Sequence, residues 1–291
     1  MEIDNLENKP KIGVALGGGG MCGIAHIGFL QGLIENGIEI DMISGISMGA
    51  IVGGLYASGM DIYDIEKLAK KIAKKDVIEL NYFKMLKEGV VSGKKIERFL
   101  SRHLITKNIE DAKIKFMAGA CDLKKGKLFY FENGSFATAL RASSAIPALI
   151  PPVFANGTCY VDGGTCENVP FNVLRQKGCD VVIAVDCMDD YQKDTLPKGS
   201  INTLAYAMEV MQHELIVLNK KTNKKNYDIY CYDVTKGVNH MDTDFKQIPN
   251  LIESGKKCAQ KYAKKIKKII EKRKICEKHL IINEDCDMIK C

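Results

Sequence analysis

The chain has 291 residues, of which 46% are hydrophobic and 27% charged, and its formal net charge is +6 at pH 7. This composition is typical of a globular protein with a substantial core and argues against a disordered chain. The eleven cysteines contain no C-x-x-C pair and their number is odd. We therefore expect reduced thiols rather than a disulfide framework, and no zinc site. The acidic, polar start at residues 1–5 is not typical of a signal peptide, so we expect a cytoplasmic protein. We also expect no nucleic-acid partner.

The first predicted elements are a buried strand over residues 12–16, a glycine loop over 17–23 and a helix that ends near Asn36, before Gly37. Residues 12–34 carry no formal charge and are long enough to imitate a membrane span. Four consecutive glycines would make a poor transmembrane helix. A strand, a loop and a buried helix account for this run better.

The next segment contains a serine in the pattern G-x-S-x-G, at residues 45–49. A short strand over 41–44 precedes it, and a helix that ends near Gly59 follows. Glycines on both sides allow a sharp strand-to-helix turn, which would present Ser47 at the N-terminus of the helix. That position favours developing negative charge and suits a nucleophile. The β-α-β-α order predicts a parallel sheet covered by helices on both faces.

The rest of the chain continues this alternation without an internal repeat or a low-complexity linker. We predict a lysine-rich helix within 61–88, a helix from Ser92 to His103 and a hairpin of strands 115–120 and 127–131. A helix over 135–144, an apolar loop over 145–152 and a strand over 159–161 follow. The last of these elements are a helix after Pro170, a strand over 181–185, a polar loop over 189–200, a helix over 201–221 and a strand over 229–232.

The last predicted helix, over 246–274, has apolar residues at helical spacing and lysines on the opposite face. We expect a catalytic domain over residues 1–235, with residues 236–291 forming a C-terminal loop and a basic amphipathic helix docked on it. The lysines would then face water. The alternative is peripheral contact of the lysine-rich helices with anionic lipid headgroups.

A serine nucleophile also needs a base and donors for an oxyanion. Backbone N–H groups of the glycine loop could stabilise an oxyanion, because this loop and the serine turn follow neighbouring strands. Asp162 follows a strand and precedes two glycines, so it could accept the serine proton if burial kept it basic. The plainer interpretation of Asp162 is a turn former. Of the five histidines, His240 alone could complete a Ser-His-Asp triad, whereas His26, His103, His213 and His279 are expected to be structural.

The glycines at 18–23 also fit G-x-G-x-x-G, which is found in dinucleotide-binding folds. Such a site needs an acid at the carboxyl end of the second strand. Asp41 has the right distance along the chain but lies at the start of its strand, so this interpretation is disfavoured.

Three segments together resemble a known family. Residues 16–28 (L-G-G-G-G-M-C-G-I-A-H-I-G), residues 45–49 and Asp162-Gly163-Gly164 are similar, in order and spacing, to the three motifs of patatin-like phospholipases. Residues 141–152 also resemble the loop that precedes the aspartate strand in that family. The resemblance covers about residues 12–185, some 60% of the chain.

The resemblance implies a three-layer α/β/α fold with a mainly parallel central sheet and hydrolysis of lipid acyl esters without a metal or cofactor. It implies a Ser-Asp dyad in which Ser47 is the nucleophile and Asp162 the base. By position, the backbone N–H groups of Gly18, Gly19 and Gly20 would form the oxyanion hole.

One residue departs from the family pattern. Arginine or lysine usually precedes the last glycine of the first motif, and this chain has Cys22 there. If that cation orders the loop or holds a phosphate, its absence weakens the expectation of phospholipid specificity but not that of acyl-transfer chemistry. The alternative is an inactive patatin-like protein that binds lipid or regulates. Cys22 as a second nucleophile is disfavoured, since no base is evident near it in the sequence.

Overall fold

The computed structural model describes residues 9–74, 93–188, 196–235 and 245–287. These residues contain one sheet of eight strands. The strands are β1 Ile12–Leu16, β2 Met42–Ile46, β3 Lys115–Asp122, β4 Lys127–Phe131, β5 Val153–Ala155, β6 Thr158–Asp162, β7 Val181–Val185 and β8 Ile229–Cys231. The order in the sheet is β5-β6-β3-β2-β1-β7-β8, and β4 also pairs with β3.

Helices cover both faces of this sheet, as predicted. They are α1 Ala25–Glu35, α2 Met48–Ala57, α3 Ile62–Lys74, α4 Gly93–His103, α5 Phe136–Ser143, α6 Phe171–Gln176, α7 Gly199–Thr222 and α8 Ile248–Asp287. Successive β1 residues point to opposite faces, so Val14 and Leu16 join one hydrophobic cluster with α1, α2 and α8. Ala15 joins a second cluster with Phe171 and Leu174 of α6. The predicted α/β fold is confirmed.

The centre of the sheet is parallel. Leu16 of β1 pairs with Gly45 of β2 and with Val185 of β7, and Gly45 pairs with Ala118 of β3. The carboxyl ends of these strands therefore lie along one edge of the sheet, which is where ligands bind in open α/β folds. The glycine loop and the serine turn leave the sheet at this edge.

One end of the sheet is antiparallel, which the β-α-β-α order does not predict. Strand β6 runs antiparallel to β3, with Ala120 opposite Asp162. Strand β5, in a segment that begins just after the predicted apolar loop, pairs with β6 through Val153 and Tyr160. Strand β5 is only three residues long and follows two prolines. Its sequence is too short to show the alternation of apolar and polar residues from which a strand could be predicted.

The C-terminal helix α8 packs closely against α1. A Cβ on Gly28 would lie 1.7 Å from the carbonyl oxygen of Ile252, and a Cβ on Gly255 would lie 1.9 Å from that of Ala25. A salt bridge of 2.7 Å joins Lys256 to Glu35 at the edge of this contact. The helix continues to Asp287, beyond the predicted end at residue 274. Its buried residues have the predicted spacing and are Ile248, Leu251, Ile252, Cys258, Ala259, Ala263 and Ile266.

Several predicted features lie partly or wholly outside the described residues. The lysine-rich helix predicted within 61–88 is described as α3 to Lys74, and its remainder, with Ser92, falls outside. The same is true of His240 and of most of the predicted polar loop over 189–200. In the parts of the chain that the structure describes, no helix is long and apolar enough to cross a membrane.

Candidate active site

Ser47 lies on a sharp turn between β2 and α2. Its backbone has φ 53° and ψ −122°, a conformation that non-glycine residues rarely adopt. Glycines at both sides make this turn possible. A Cβ on Gly45 would lie 2.5 Å from the Cα of Ala50, and a Cβ on Gly49 would lie 2.3 Å from the carbonyl oxygen of Leu16. Ser47 is thus presented at the N-terminus of a helix, a position that would suit a nucleophile.

The glycine loop lies directly beside Ser47. A Cβ on Gly18 would be 3.4 Å from the Cβ of Ser47. Gly19 and Gly20 have φ values of +156° and +53°, in the region that favours glycine, and they begin a 3-10 turn over Gly20–Ile24. The first N–H groups of such a turn have no partner within it, so they can donate to a bound anion.

Gly18 differs from the sequence-based expectation. Its N–H donates to the carbonyl of Asn168 at 3.1 Å. This bond fixes the loop against the turn after Asp162, and an oxyanion would compete with that carbonyl for the Gly18 N–H. The donors left for that role in the predicted set are those of Gly19 and Gly20.

Asp162 meets Ser47 because β3 lies between the strands that carry them. Ile46 pairs with Gly119 of β3, and the next residue of β3, Ala120, pairs with Asp162 of β6. Ser47 and Asp162 therefore reach the same level of the sheet, although 115 positions separate them in sequence. The Ser47 hydroxyl is close enough to the Asp162 carboxylate to act on it as a hydrogen-bond donor and lower the pKa of that carboxyl group. A second donor is the N–H of Gly164, at 2.8 Å.

Burial makes Asp162 an unusually basic carboxylate. Its exposed fraction is 3%. Desolvation raises the pKa of Asp162 from 3.8 to about 6, against the opposing effect of the hydrogen bonds from Ser47 and Gly164. A carboxylate with this pKa is ionised at neutral pH and still accepts a proton readily, which is what a general base needs.

Two residues support the site and have no predicted role. The N–H of Ser47 donates to the Oγ of Ser143, a buried residue at the end of α5, at 2.9 Å. Asn168 holds the Gly18 loop through its carbonyl, and its Oδ1 lies 2.5 Å and 3.1 Å from where Cβ atoms on Gly18 and Gly164 would be. Ser143 lies in the segment that resembles the family loop, but nothing local in the sequence indicates either contact.

His26 is a structural residue rather than a base for Ser47. It is fully buried, and its Nε2 lies 2.8 Å from the carbonyl oxygen of Gly17. The carbonyl can only accept, so Nε2 carries the proton. Burial lowers the pKa of His26 from 6.5 to about 4, and the hydrogen bond to Gly17 opposes this effect. His26 therefore holds the start of the glycine loop in its neutral form.

The neutral state of His26 makes stability depend on pH. Its pKa is lower in the folded protein than in the unfolded chain, so the unfolded state binds the proton first and stability falls as the pH drops from 6.5 towards 4. Between pH 7.5 and pH 5 this group should remove about 2 kcal/mol from the free energy of unfolding. Asp162 acts in the opposite direction over this range, so the test is a comparison: on going from pH 7.5 to pH 5, the wild type should lose about 2 kcal/mol more than His26→Gln in urea unfolding. Equal pH dependence in both proteins would contradict this assignment.

His103, His213 and Asp41 make contacts that do not point to catalysis or to dinucleotide binding. The Nδ1 of His103 contacts the carbonyl of Phe99 at 2.8 Å, and His213 lies on α7, 3.8 Å from Glu214. Asp41 accepts from the N–H of Ile12 at 2.7 Å, so it lies at the amino end of the strands and away from the glycine loop that a dinucleotide would occupy. In the described ranges, no group of three or more His, Cys, Asp or Glu side chains could hold a metal ion.

Comparison with known proteins identifies the family. A family model described as "Patatin-like phospholipase" matches residues 14–175. The chain belongs to the patatin-like phospholipase family. The Lysophospholipase NTE1 of Candida albicans is 32% identical over 192 residues, which cover 64% of this chain and 14% of that protein. The Lysophospholipase NTE1 of Scheffersomyces stipitis is 33% identical over 192 residues, covering 64% and 12%. The chain thus spans only a small part of the length of these relatives.

A solved structure shows the same fold at low sequence similarity. Human GIVD cytosolic phospholipase A2, in complex with methyl gamma-linolenyl fluorophosphonate and terbium chloride, aligns with a TM-score of 0.54 and 12% identity, over 94% of this chain and 61% of that one. The patatin-like match contains the glycine loop, the Ser47 turn and Asp162, whereas α7 and α8 lie outside it.

Cys22 stands where patatin-like proteins usually have a cation. It lies in the 3-10 turn at the end of the glycine loop, and its N–H donates to the carbonyl of Gly19 at 3.0 Å. Its side chain is half-buried and packs against the core. The loop is thus closed by a main-chain hydrogen bond that any residue except proline could make at this position.

Proposed function

We propose that this patatin-like protein is a serine acyl hydrolase that cleaves lipid acyl esters, in the manner of a phospholipase A or lysophospholipase. The observation that carries the proposal is the meeting of Ser47, on its strained turn, with the buried, basic carboxylate of Asp162. A nucleophile in contact with a base, next to backbone donors, is the arrangement that acyl transfer requires.

The reaction would proceed through an acyl-enzyme. Ser47 attacks the ester carbonyl while Asp162 takes its proton, and Asp162 then gives a proton to the leaving alcohol. Water activated by Asp162 would next hydrolyse the acyl-serine. The N–H groups of Gly19 and Gly20 would stabilise the oxyanion, a contribution of about 3 kcal/mol for each well-placed donor.

The lipid substrate is inferred from the family and from the names of the relatives, which are lysophospholipases. Incubation with lysophosphatidylcholine should release free fatty acid, and a fluorophosphonate probe should label the folded protein at Ser47. A protein that turns over soluble short-chain esters but releases no fatty acid from any lysophospholipid would contradict the lipid class and leave the chemistry standing.

An inactive lipid-binding or regulatory protein is the second candidate, because Cys22 replaces the usual cation. It predicts that the probe fails to label Ser47 and that no ester is hydrolysed. The variant Cys22→Arg tests whether the chain has lost only the contact with a lipid headgroup or has lost the hydrolytic reaction itself. If the cation binds phosphate, the variant should lower KM for lysophosphatidylcholine and leave turnover of a neutral short-chain ester unchanged.

A Ser-His-Asp triad through His240 is a third possibility, and it requires that His240→Ala abolish turnover.

Peripheral contact with a membrane through the lysine-rich helices, from a cytoplasmic location, is part of the same proposal. Consecutive turns of α8 carry exposed lysines at 264, 265, 267 and 268, whereas the neighbouring Ala263 and Ile266 are buried. Each lysine near an anionic surface contributes about 1 kcal/mol to binding. Replacing these four by glutamine should weaken cosedimentation with vesicles that contain phosphatidylglycerol, whereas hydrolysis of a soluble ester should stay unchanged.

The division into a catalytic domain over 1–235 and a C-terminal segment over 236–291 also remains a prediction.

A further inference from the structure

Two cysteine side chains meet beside the candidate active site. Cys121 lies on β3, and Cys166 lies four residues after Asp162, in the turn that follows β6. Both are free thiols, and their Sγ atoms are 3.0 Å apart. A disulfide bond measures about 2.05 Å, so a side-chain movement of about 1 Å would bring the two sulfurs to bonding distance.

The backbone on both sides of this pair is held in place. Cys121 pairs with Val161 across the β3–β6 ladder, and the N–H of Cys166 donates to the carbonyl of Gly163 at 2.9 Å. The turn also packs tightly on β3, since a Cβ on Gly163 would lie 2.5 Å from the carbonyl oxygen of Gly119. The cysteines therefore stay in register while the protein remains folded, and a bridge between them needs no rearrangement of the sheet.

We propose that Cys121 and Cys166 form a modification site, a dithiol that a low-molecular-weight disulfide such as glutathione disulfide converts to an intramolecular disulfide. In the first step the Cys166 thiolate attacks one sulfur of glutathione disulfide, and one glutathione thiolate leaves. In the second step Cys121 gives up its proton and its sulfur attacks the Cys166 sulfur of the mixed disulfide, releasing the second glutathione. The protein loses two electrons and two protons, and one disulfide is reduced to two thiols.

The surroundings of the two thiols set the order of these steps. Cys166 is partly exposed, so a small disulfide can reach it, whereas Cys121 is buried. Burial first, and then the hydrogen bond with Cys166 and its negative charge, raise the pKa of Cys121 to about 12. Once Cys166 is part of a mixed disulfide, its sulfur carries no negative charge. The repulsion that disfavours ionisation of Cys121 is then smaller. Cys121 is then the resolving thiol.

The test uses the folded full-length chain and does not depend on its enzymatic activity. The protein is incubated with glutathione disulfide, free thiols are blocked with iodoacetamide, and the peptides are mapped by mass spectrometry without reduction. The expected major intramolecular product is the Cys121–Cys166 cross-link. Because 45 positions separate the two cysteines, the bond should raise the unfolding temperature by about 4–8 °C, and dithiothreitol should reverse the rise.

Two variants make the result specific. Cys166→Ser should abolish both the cross-link and the rise in unfolding temperature. Cys159→Ser is the matched control, because Cys159 is another partly exposed cysteine on neighbouring β6, and it should behave as the wild type. Recovery of Cys166 from the folded wild type only as a free thiol or a mixed glutathione disulfide would overturn the proposal. An equal temperature rise in Cys166→Ser would overturn it as well.

Discussion

Ser47→Ala should lower kcat/KM by about 10⁴-fold or more, both for lysophosphatidylcholine and for a soluble short-chain ester. The substitution removes the only atom that could form the acyl-enzyme in the proposed mechanism. Water attacking the bound ester directly would still benefit from the N–H groups of Gly19 and Gly20, so a small residual rate is expected. Labelling by the fluorophosphonate probe should disappear altogether. Steady-state kinetics and intact-protein mass measure the two effects.

The matched control for this variant is Ser58→Ala. Ser58 is also a buried serine, at the opposite end of α2, where its hydroxyl donates to the carbonyl of Leu55 at 2.8 Å. Its loss should reduce the free energy of unfolding by about 1 kcal/mol and leave turnover unchanged. If Ser47→Ala keeps more than a tenth of wild-type activity while it remains folded, Ser47 is not the nucleophile.

Local sequence signals predict the centre of this fold well. The apolar run of β1, the glycines around Ser47 and the glycine that follows α1 are local signals, and the structure has the strand, the turn and the helix end there. Prediction fails where pairing is not local. The antiparallel direction of β6 depends on its contact with β3, some 40 residues earlier, and no pattern within either strand specifies it.

The candidate site shows the same division. Ser47 and Asp162 could each be proposed from their neighbours, since glycines adjoin both. The contacts that hold them are long-range ones: Ser143 accepts from the N–H of Ser47, and Asn168 accepts from the N–H of Gly18. Because a backbone hydrogen bond depends on tertiary position and not on residue type, the sequence could not indicate that the Gly18 N–H donates to Asn168.

Asp162→Asn should greatly reduce turnover and make the protein more stable, a combination that distinguishes a functional carboxylate from a structural one. The amide keeps the size of the side chain and can still accept from Gly164, but it cannot take the proton of Ser47. A loss in kcat/KM of about 10³-fold or more is expected for the soluble ester, because general-base catalysis contributes about 10²–10⁴-fold and the same residue acts in both half-reactions.

The gain in stability follows from the raised pKa. A carboxyl group whose pKa is higher in the folded protein holds its proton more tightly there, so ionising it lowers stability as the pH rises from 3.8 to about 6. Above pH 6 the penalty is complete and amounts to about 3 kcal/mol at most. Asparagine carries no charge, and at pH 8 the variant should unfold with a free energy about 1–3 kcal/mol above that of the wild type. At pH 4 the difference should nearly vanish.

Asp122→Asn is the control of opposite sign. Asp122 is also buried, but the hydrogen bond from Thr158 lowers the pKa of this carboxyl group, so ionised Asp122 stabilises the folded state and its amide variant should melt at a lower temperature at pH 8.

The pH profile of catalysis gives a separate measure of Asp162. Wild-type kcat/KM should rise about tenfold per unit up to a pKa of about 6 and then level off, because only the ionised carboxylate can accept the proton of Ser47. If Asp162→Asn lost both activity and stability at pH 8, the carboxylate would be a structural group, and the base would have to be sought elsewhere.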